Sequence, residues 1–246
     1  MKALLLSAGY GSRLRPLTEH TPKCLVEING KPLLAYWLEL LVSAGIKDIL
    51  INTHYLSEAV DNYVQESKFA EFITIAYEEE LLGTAGTLLK NNAHFVGEPI
   101  MLIHADNLSC FSMRDFIKTY DERSADVEIT MMTFNTDSPK KCGILDVDSN
   151  GIVHEMHEKV ENPKSNYANG AVYILSDSII AFMSSLDKDV LDFSVDVLPN
   201  FMGKINTYHN DTYHRDIGDL ISLSKAIEEY PKINKIVNET LSLKIL

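Results

Sequence analysis

A short segment near the start of the chain combines glycines with cations. It follows an apolar run, Ala3–Leu6, and contains, in order, Gly9, Gly11, Arg13, Arg15 and Lys23. Glycines let backbone N–H groups approach a polyphosphate closely, and arginine and lysine side chains hold phosphate charge. The chain has 35 acidic and 22 basic side chains, so a local basic cluster beside a glycine-rich loop stands out. The segment therefore predicts a binding site for a nucleoside triphosphate.

The common phosphate-binding motifs do not fit this segment. A dinucleotide fingerprint needs a small residue at Leu14 and an acidic residue at the end of the next strand, where Asn52-Thr53-His54 stands instead. A P-loop needs Gly-Lys followed by Ser or Thr, but Gly30-Lys31 is followed by Pro32. These mismatches argue against a kinase, an ATPase or a simple dehydrogenase.

The full string is more specific than its glycines. It reads Ala8-Gly9-Tyr10-Gly11-Ser12-Arg13-Leu14-Arg15-Pro16-Leu17-Thr18, then Pro22-Lys23-Cys24-Leu25, then Gly30-Lys31-Pro32. This string resembles the signature of the sugar-phosphate nucleotidyltransferases, the NDP-sugar pyrophosphorylases. The resemblance implies that Lys23 and Arg13 clamp the phosphates. It also implies a set of residues that surround the nucleotide, namely Ala8, Gly9, Gly11 and Ser12.

Two aspartates stand in contexts that match the metal ligands of that family. Asp106 directly follows the apolar segment Ile100–Ala105, and Asp216 stands in Tyr213-His214-Arg215-Asp216-Ile217-Gly218-Asp219. Taken alone, an aspartate after a strand is more often a turn residue or a helix cap. The resemblance instead implies that Asp106 and Asp216 hold a catalytic Mg²⁺, and it places Asp106 beside Lys23 and Arg13 among the catalytic residues. Mg²⁺ prefers one or two carboxylates together with phosphate oxygens.

A third set of residues concerns the base of the nucleotide. Leu82-Gly83-Thr84-Ala85-Gly86 resembles the family segment that packs against nucleobase and ribose, which implies nucleotide-binding roles for Gly83 and Thr84. Glu78 lies where many relatives carry a base-reading glutamine. A carboxylate only accepts hydrogen bonds and guanine offers two adjacent donors, so Glu78 favours GTP. The alternative is that Glu78-Glu79-Glu80 forms a solvated acidic run.

Three later landmarks resemble the part of the family that holds the sugar phosphate. They are Lys141-Cys142-Gly143-Ile144, His157-Glu158-Lys159 with Pro163, and Asn169-Gly170-Ala171-Val172-Tyr173. The resemblance implies that the sugar 1-phosphate is bound by Gly143, Glu158, Lys159 and Asn169. In the last landmark the two small residues are exchanged relative to the Asn-Ala-Gly order of the family.

Composition restricts the class of protein. The 246 residues are 46% hydrophobic and 23% charged, which suits one large α/β domain. The net charge of −13 argues against general binding to nucleic acid or anionic membranes, and no run of 18 apolar residues predicts a spanning helix. Three widely spaced cysteines indicate neither disulfides nor zinc and are typical of a reducing cytoplasm. Beside Lys23, Cys24 could be a somewhat acidic thiol, although a small semi-buried filler is favoured.

Hydrophobic patterns predict strands that alternate with helices in the first half of the chain. The predicted strands are Lys2–Ser7, Asp48–Thr53, Phe72–Tyr77 and Ile100–Ala105, and the predicted helices are Pro32–Ala44, Ser57–Ser67 and Thr84–Asn92. This rhythm predicts an α/β fold, Rossmann-like, with a mixed and mainly parallel sheet flanked by helices and ligands at the carboxyl ends of the strands. The resemblance implies a GT-A-like nucleotidyltransferase core.

The second half is predicted to be richer in antiparallel strands. The predicted elements are strands at Asp126–Phe134, Gly143–Val147, Ile152–Glu155 and Ala171–Leu175, helices at Asp177–Ser185, Asp192–Phe201 and Gly218–Glu229, and a hairpin turn at Asp148–Gly151. We expect a single domain, residues 1–246, with a nucleotide-binding half (about 1–110), a sugar-phosphate half (about 111–230) and a tail (231–246). The family often appends a C-terminal β-helix, and we expect none here because the chain stops too soon.

These observations favour a cytoplasmic, Mg²⁺-dependent enzyme. It would transfer a nucleoside monophosphate from an NTP, with GTP favoured, to a mannose- or heptose-like sugar 1-phosphate and release pyrophosphate. Two alternatives stay open: a UTP-, CTP- or dTTP-dependent enzyme with another phosphorylated acceptor, and a non-catalytic regulatory subunit that senses a nucleotide sugar. A molybdenum-cofactor nucleotidyltransferase shares the loop, but Glu158-Lys159 and Asn169 argue against it. We expect no nucleic-acid or membrane partner, and a homo-oligomer is compatible with the sequence.

Overall fold

A central sheet with helices on both faces organises the chain. We describe it from a computed structural model, which gives the backbone of residues 1–243 and the side chains of residues 1–235. The strands are β1 (Lys2–Leu6), β2 (Glu27–Ile28), β3 (Lys31–Pro32), β4 (Ile49–Thr53), β5 (Ile73–Tyr77), β6 (Ile100–His104), β7 (Asn107–Cys110), β8 (Ile129–Asn135), β9 (Gly143–Val147), β10 (Val153–Glu158), β11 (Tyr167–Leu175), β12 (Ile205–His209) and β13 (Tyr213–Asp216). The helices are α1 (Leu33–Ser43), α2 (Ser57–Glu66), α3 (Thr84–Lys90), α4 (Asn92–Phe95), α5 (Met113–Asp121), α6 (Ser178–Ser184) and α7 (Leu220–Leu243).

The strand order of the main sheet is β10-β9-β11-β6-β1-β4-β5, and β8 pairs with both β11 and β12. Strands β6, β1, β4 and β5 run parallel, and β11 runs antiparallel to β6. The predicted fold class is confirmed: the sheet is mixed, mainly parallel and flanked by helices. Because β11 belongs to the second half of the sequence, both halves contribute to the same sheet.

The parallel strands form because each is an almost continuous apolar run. Residues Ala3, Leu4 and Leu5 of β1 are fully buried, as expected for a strand covered by helices on both faces. Alternate residues of a strand point to opposite faces, so Leu5 joins the core that contains Trp37, whereas Leu4 joins the opposite core. The two cores fix β1 firmly, and β1 leads directly into the glycine-rich loop.

A short ribbon outside the main sheet was not predicted. Strands β7 and β13 pair antiparallel, with Asp216 opposite Asn107 and Arg215 opposite Leu108. β13 reads Tyr-His-Arg-Asp and shows no alternation of polar and apolar residues, and β7 has only four residues, the shortest run in which alternation indicates a strand. The ribbon matters because it brings Asp216 beside the end of β6.

Helix α5 and strand β12 were also not predicted, and the remaining differences are local. The predicted helix at Asp192–Phe201 is a π-helical turn, Phe193–Val197, followed by a 3₁₀ turn, Leu198–Phe201. Asp192 caps this segment, since its carboxylate accepts hydrogen bonds from the backbone N–H groups of Ser194 and Val195. Strand β11 starts at Tyr167, earlier than predicted, because a bulge between Asn169 and Tyr173 interrupts the apolar alternation.

The last described element is longer than predicted. Helix α7 continues past Glu229 and through Pro231 to Leu243, so the predicted tail is helical as far as it is described, and residues 244–246 lie outside the described part. No helix within residues 1–243 is both long and apolar enough to cross a membrane.

Candidate active site

The glycine-rich loop leaves the carboxyl end of β1 and bends sharply at Gly11. This residue has a φ of 61°, in the left-handed region that favours glycine. A Cβ atom placed on Gly11 would lie 2.9 Å from Cγ2 of Thr18 and 3.1 Å from Cβ of Lys23. The Thr18 hydroxyl also donates to the Gly11 carbonyl oxygen at 2.7 Å. The glycine therefore lets the loop pack onto Lys23.

A first cleft opens at the carboxyl ends of β1, β4 and β6. Its lining residues are Leu6, Ser7, Ala8, Gly9, Lys23, Cys24, Asn52, Glu78, Leu81, Gly83, Thr84, Thr87, His104 and Asp106. The structure thus brings together most of the residues predicted to bind the nucleotide. Three residues predicted to bind the nucleotide do not line this cleft. Gly11 packs against Thr18 and Lys23, and Ser12 and Arg13 are exposed.

A second cleft adjoins the first. Its lining includes all four residues predicted to bind the sugar phosphate, the two predicted metal ligands and Arg13. The lining residues include Arg13, His104, Asp106, Lys141, Gly143, Glu158, Lys159, Asn169, Ala171, Asp192, Ser194 and Asp216. Asp106 and His104 line both clefts. The end of β6 is therefore the point at which the two clefts meet.

Lys23 lies between the two aspartates at this meeting point. Its Nζ atom is 2.5 Å from Oδ2 of Asp106 and 3.9 Å from Oδ1 of Asp216. Lys23 is itself buried, with 8% of its surface exposed, so its charge is weakly screened. The backbone holds the arrangement as well, since Ile217 N–H donates to the Asp106 carbonyl oxygen at 3.2 Å.

The two carboxyl groups differ in their proton affinity. Partial burial disfavours the charge on Asp106, but the Lys23 ammonium and His104 outweigh it and hold the pKa of Asp106 below its usual range. Partial burial and the neighbouring Asp106 carboxylate raise the pKa of Asp216. The two groups are close enough to repel each other, and a cation between them relieves that repulsion.

The residues at this point fit a divalent cation. Both carboxylates approach the same ammonium, at 2.5 and 3.9 Å, so two negatively charged groups converge on one point of the cleft. Within the described side chains there is no cluster of three or more His, Cys, Asp or Glu residues that could hold a metal. Two carboxylates are enough for Mg²⁺ because it commonly completes its octahedral shell with water and the oxygens of a bound phosphate.

Glu78 is buried and is not part of a solvated run. Only 2% of its surface is exposed, whereas Glu79 and Glu80 are exposed. Oε1 of Glu78 accepts hydrogen bonds from the Thr87 hydroxyl at 2.5 Å and from Nδ2 of Asn52 at 3.1 Å. The other oxygen, Oε2, is buried and has no hydrogen-bond partner among the described side chains. The alternative of an acidic surface run is therefore wrong for Glu78.

Gly83 is explained by a contact within the protein. It has a φ of 80°, and a Cβ atom on it would lie 2.3 Å from the carbonyl oxygen of Leu191. That same oxygen accepts hydrogen bonds from the N–H groups of Ala85 and Gly86 in the first turn of α3. Thr84 Oγ1 accepts from Phe193 N–H at 2.7 Å. The contact with Leu191 is therefore enough to require glycine at position 83.

In the second cleft, the predicted sugar-phosphate residues are held by neighbouring strands. Gly143 on β9 faces Glu158 on β10, and a Cβ on Gly143 would lie 2.8 Å from Oε2 of Glu158. Glu158 pairs with Lys159 at 3.0 Å. Asn169 donates from Nδ2 to the Tyr173 hydroxyl at 2.7 Å, which orients its amide. These side chains present a carboxylate, a cation and an amide to the cleft, a set that suits a phosphorylated polyol.

Several residues of the clefts were not predicted. Asn52 and Thr87 join the floor of the first cleft, and His104 stands at the junction of both. Asn52 is the penultimate residue of β4 and His104 is the last residue of β6, so both lie at the carboxyl ends of parallel strands, where ligands are expected. Lys141 forms an ion pair with Asp219 at 2.8 Å. These two residues are far apart in the sequence, so no local sequence pattern predicts their contact.

Cys24 does not have an acidic thiol. Only 1% of its surface is exposed, and burial raises its pKa to about 12. The adjacent Lys23 ammonium points to Asp106 rather than to the sulfur. Cys24 is thus a small filler, as favoured, but it is fully buried rather than semi-buried.

Comparisons with sequences of known proteins agree with this geometry. Residues 2–233 match the family described as Nucleotidyl transferase. The chain is 32% identical over 203 residues to the mannose-1-phosphate guanylyltransferase catalytic subunit beta of Danio rerio, an alignment that covers 77% of this chain and 55% of that protein. It is 33% identical over 190 residues to a mannose-1-phosphate guanyltransferase of Pichia angusta, covering 73% of this chain and 50% of that protein. The chain therefore spans about half the length of these curated relatives.

Solved structures resemble the whole fold. The crystal structure of HddC from Yersinia pseudotuberculosis matches with a TM-score of 0.78 and 26% identity, covering 93% of this chain and 99% of that chain. A structure of HddC complexed with GMP-PN matches with a TM-score of 0.75 and 26% identity, with the same coverage of both chains. The core is thus GT-A-like, as the sequence predicted. Since the family match extends from residue 2 to residue 233, this chain belongs to the nucleotidyl transferase family.

Proposed function

We propose that the protein transfers a nucleoside monophosphate from an NTP to a sugar 1-phosphate and releases pyrophosphate. The observation that carries this proposal is that Asp106 lines both clefts, with Lys23 bound to it. A nucleotide in the first cleft and a sugar phosphate in the second would bring their phosphates together at these two residues. Nucleotidyl transfer requires that encounter.

The chemistry asked of the protein is mainly positioning and charge neutralisation. An oxygen of the sugar phosphate attacks the α-phosphorus in line, and pyrophosphate leaves. Lys23 is buried and would meet negative charge where screening by water is weak. Arg13 would hold phosphate oxygens with its planar guanidinium. We propose Mg²⁺ as the cofactor, held by Asp106 and Asp216; when bound, it would neutralise charge on the transferring phosphate.

The proposed donor is GTP, and the proposed acceptor is a mannose- or heptose-like sugar 1-phosphate. Buried Glu78 supports GTP because its free oxygen can only accept a hydrogen bond from the base. The names of the relatives in Danio rerio and Pichia angusta, and the GMP-PN complex of HddC, support the same choice. Glu158, Lys159 and Asn169 would bind the hydroxyls and the phosphate of the acceptor.

A nucleotide panel tests the proposal. The purified chain is incubated with Mg²⁺, one of GTP, UTP, CTP, dTTP or ATP, and a set of sugar 1-phosphates, and pyrophosphate release is followed. We expect turnover that needs both substrates and is fastest with GTP. Turnover fastest with UTP, CTP or dTTP would support the alternative enzyme. Nucleotide-sugar binding without turnover under any condition would support the regulatory subunit, which the presence of Lys23, Asp106 and Asp216 argues against.

The remaining expectations stay predictions. The arrangement as one domain with two substrate halves, a cytoplasmic location, a homo-oligomeric state and the lack of nucleic-acid and membrane partners all rest on sequence reasoning. Size-exclusion chromatography with light scattering on the purified chain would measure the oligomeric state directly.

A further inference from the structure

Four buried polar side chains form the floor of the first cleft. They are Ser7 after β1, Asn52 in β4, Glu78 after β5 and Thr87 in α3, with exposed fractions of 8%, 3%, 2% and 1%. All four line the cleft. Buried polar groups are costly unless they are hydrogen-bonded, so their partners show what the site is built for.

The two oxygens of the Glu78 carboxylate have unequal surroundings. Thr87 and Asn52 both donate to Oε1, whereas Oε2 has no partner among the described side chains. No described cation forms an ion pair with Glu78. The protein thus supplies donors to one oxygen and leaves the other, which is almost completely enclosed, without a hydrogen bond in a residue that lines the cleft.

Asn52 is itself held in one orientation. Ser7 N–H donates to Oδ1 of Asn52 at 2.8 Å, which directs Nδ2 toward Glu78. The Ser7 hydroxyl donates to the backbone oxygen of Asn52 at 2.5 Å. Ser7 is the first residue after β1, at the entry to the glycine-rich loop. The start of that loop and the Glu78 carboxylate are therefore joined by two consecutive hydrogen bonds through Asn52.

We propose that Asn52 and Thr87 are positioning residues for base selection. By donating to Oε1 they fix the plane of the Glu78 carboxylate and leave Oε2 as the acceptor for a base that carries N–H donors on its edge. Oε2 is enclosed in the free protein, so the base reaches it only when the lining of the cleft adjusts on binding. The inference rests on the proposed function, and it extends it by assigning the specificity of the first cleft to the residues that position Glu78. A guanine edge would satisfy Oε2, whereas the carbonyl oxygens that flank N3–H of uracil would be repelled by it.

Thr87 supplies the sharpest test because it can be changed without changing its volume. Thr87→Val removes the donor to Oε1, and Thr87→Ser keeps it. The ratio of kcat/KM for GTP to that for UTP is measured for both variants in the full chain with Mg²⁺. We expect this ratio to fall by about tenfold in Thr87→Val, the scale of one lost hydrogen bond, and to be largely restored in Thr87→Ser. The change should appear mainly in KM for GTP, because the base lies away from the reacting phosphorus.

Two further variants complete the design. Thr130→Val removes a hydroxyl that is equally buried, in β8 and outside the clefts, and should leave the ratio unchanged. Asn52→Asp replaces the amide that donates to Oε1 with a carboxylate oxygen that repels it. This variant should also lower the ratio of kcat/KM for GTP to that for UTP. Thermal unfolding of each variant shows that it is folded.

The outcomes separate this inference from the proposed function. If the wild-type chain transfers nucleotides but folded Thr87→Val keeps the wild-type ratio, the inference is wrong and the function stands. A drop in stability with no change in ratio would make the network purely structural. A wild-type preference for UTP over GTP would also overturn the inference. If the wild-type chain transfers no nucleotide at all, the proposed function fails first.

Discussion

Ala171 has a φ of 53°, in the left-handed region, while its neighbour Gly170 does not. Glycine would suit the backbone at 171. Position 170 needs glycine for another reason, because a Cβ there would lie 2.5 Å from Cε and 3.0 Å from the carbonyl oxygen of Met132. The exchange of small residues seen in the sequence thus places an alanine at the strained position of the β11 bulge, in the wall of the second cleft.

This strain predicts opposite effects for two substitutions. Ala171→Gly should raise the free energy of unfolding by about 0.5–1 kcal/mol, since relief of the left-handed strain is partly offset by the greater freedom of glycine in the unfolded chain. Gly170→Ala should lower it by about 1–3 kcal/mol because of the contact with Met132. Urea denaturation of the two variants measures both. If both variants have the same free energy of unfolding as the wild type, the backbone of the bulge changes conformation without cost.

The two aspartates at the meeting point of the clefts are expected to be essential. Asp106→Asn and Asp216→Asn should each lower kcat/KM by about a hundredfold or more, close to 3 kcal/mol of transition-state stabilisation, because one charged ligand of the cation is lost. Circular dichroism should show an intact fold. Asp121→Asn, exposed at the end of α5, is the matched control. Near-normal turnover of either variant at saturating Mg²⁺ would contradict the assignment.

Lys23 is expected to act on the transition state. Lys23→Met keeps the length and apolar stem of the side chain but removes the ammonium that contacts Asp106. We expect kcat to fall much more than KM for the nucleotide rises, because charge grows on the phosphate oxygens during transfer. Steady-state kinetics with varied nucleotide measure both constants. An unchanged kcat with weaker binding would make Lys23 an anchor of the ground state.

Glu78 is expected to discriminate between bases. Glu78→Gln replaces an acceptor oxygen with a donor amide and should penalise GTP by about 1–3 kcal/mol while improving the relative use of UTP or dTTP. The measured quantity is kcat/KM for each nucleotide. Glu79→Gln changes the same chemistry at the adjacent exposed position and should have no effect. If both variants behave alike, Glu78 does not read the base.

The cysteines are expected to differ in reactivity. The raised pKa of Cys24, about 12, leaves almost no thiolate near neutral pH, and burial blocks access to the sulfur. Iodoacetamide should therefore modify the half-buried Cys110 and Cys142 before Cys24 in the native protein. Mass spectrometry of peptides, with denatured protein as the control, maps the sites. Rapid labelling of Cys24 would show that the first cleft opens widely in solution.

The sequence was informative where residues are close together in the chain. The glycine-rich loop, the parallel strands and the hairpin that carries Gly143 and Glu158 follow from local patterns, and the fold class predicted from them is confirmed. The clustering of Asp106, Lys23 and the predicted acceptor residues around two adjoining clefts agrees with the resemblance, although their binding roles stay predictions.

Contacts between distant segments could not be predicted. The ribbon that places Asp216 opposite Asn107 joins two strands of four residues each, and neither short sequence indicates which segment it pairs with. The positive φ of Ala171 is equally hidden, because it depends on how β11 packs against β8. Glu78 is bound by Asn52 of β4 and Thr87 of α3, whereas Glu79 and Glu80 are exposed. The sequence of three consecutive glutamates does not show which of them these two elements contact.

The carbonyl oxygen of Leu191 imposes glycine at position 83 whether or not a nucleotide ever binds. A Cβ atom at position 83 would clash with this oxygen in any copy that keeps the fold, active or inactive. Selection for a folded chain alone would therefore retain Gly83, so this glycine in a divergent copy of the gene would not indicate activity. If the roles that we propose are right, a copy that has lost activity should instead differ at Lys23, Asp106 or Asp216.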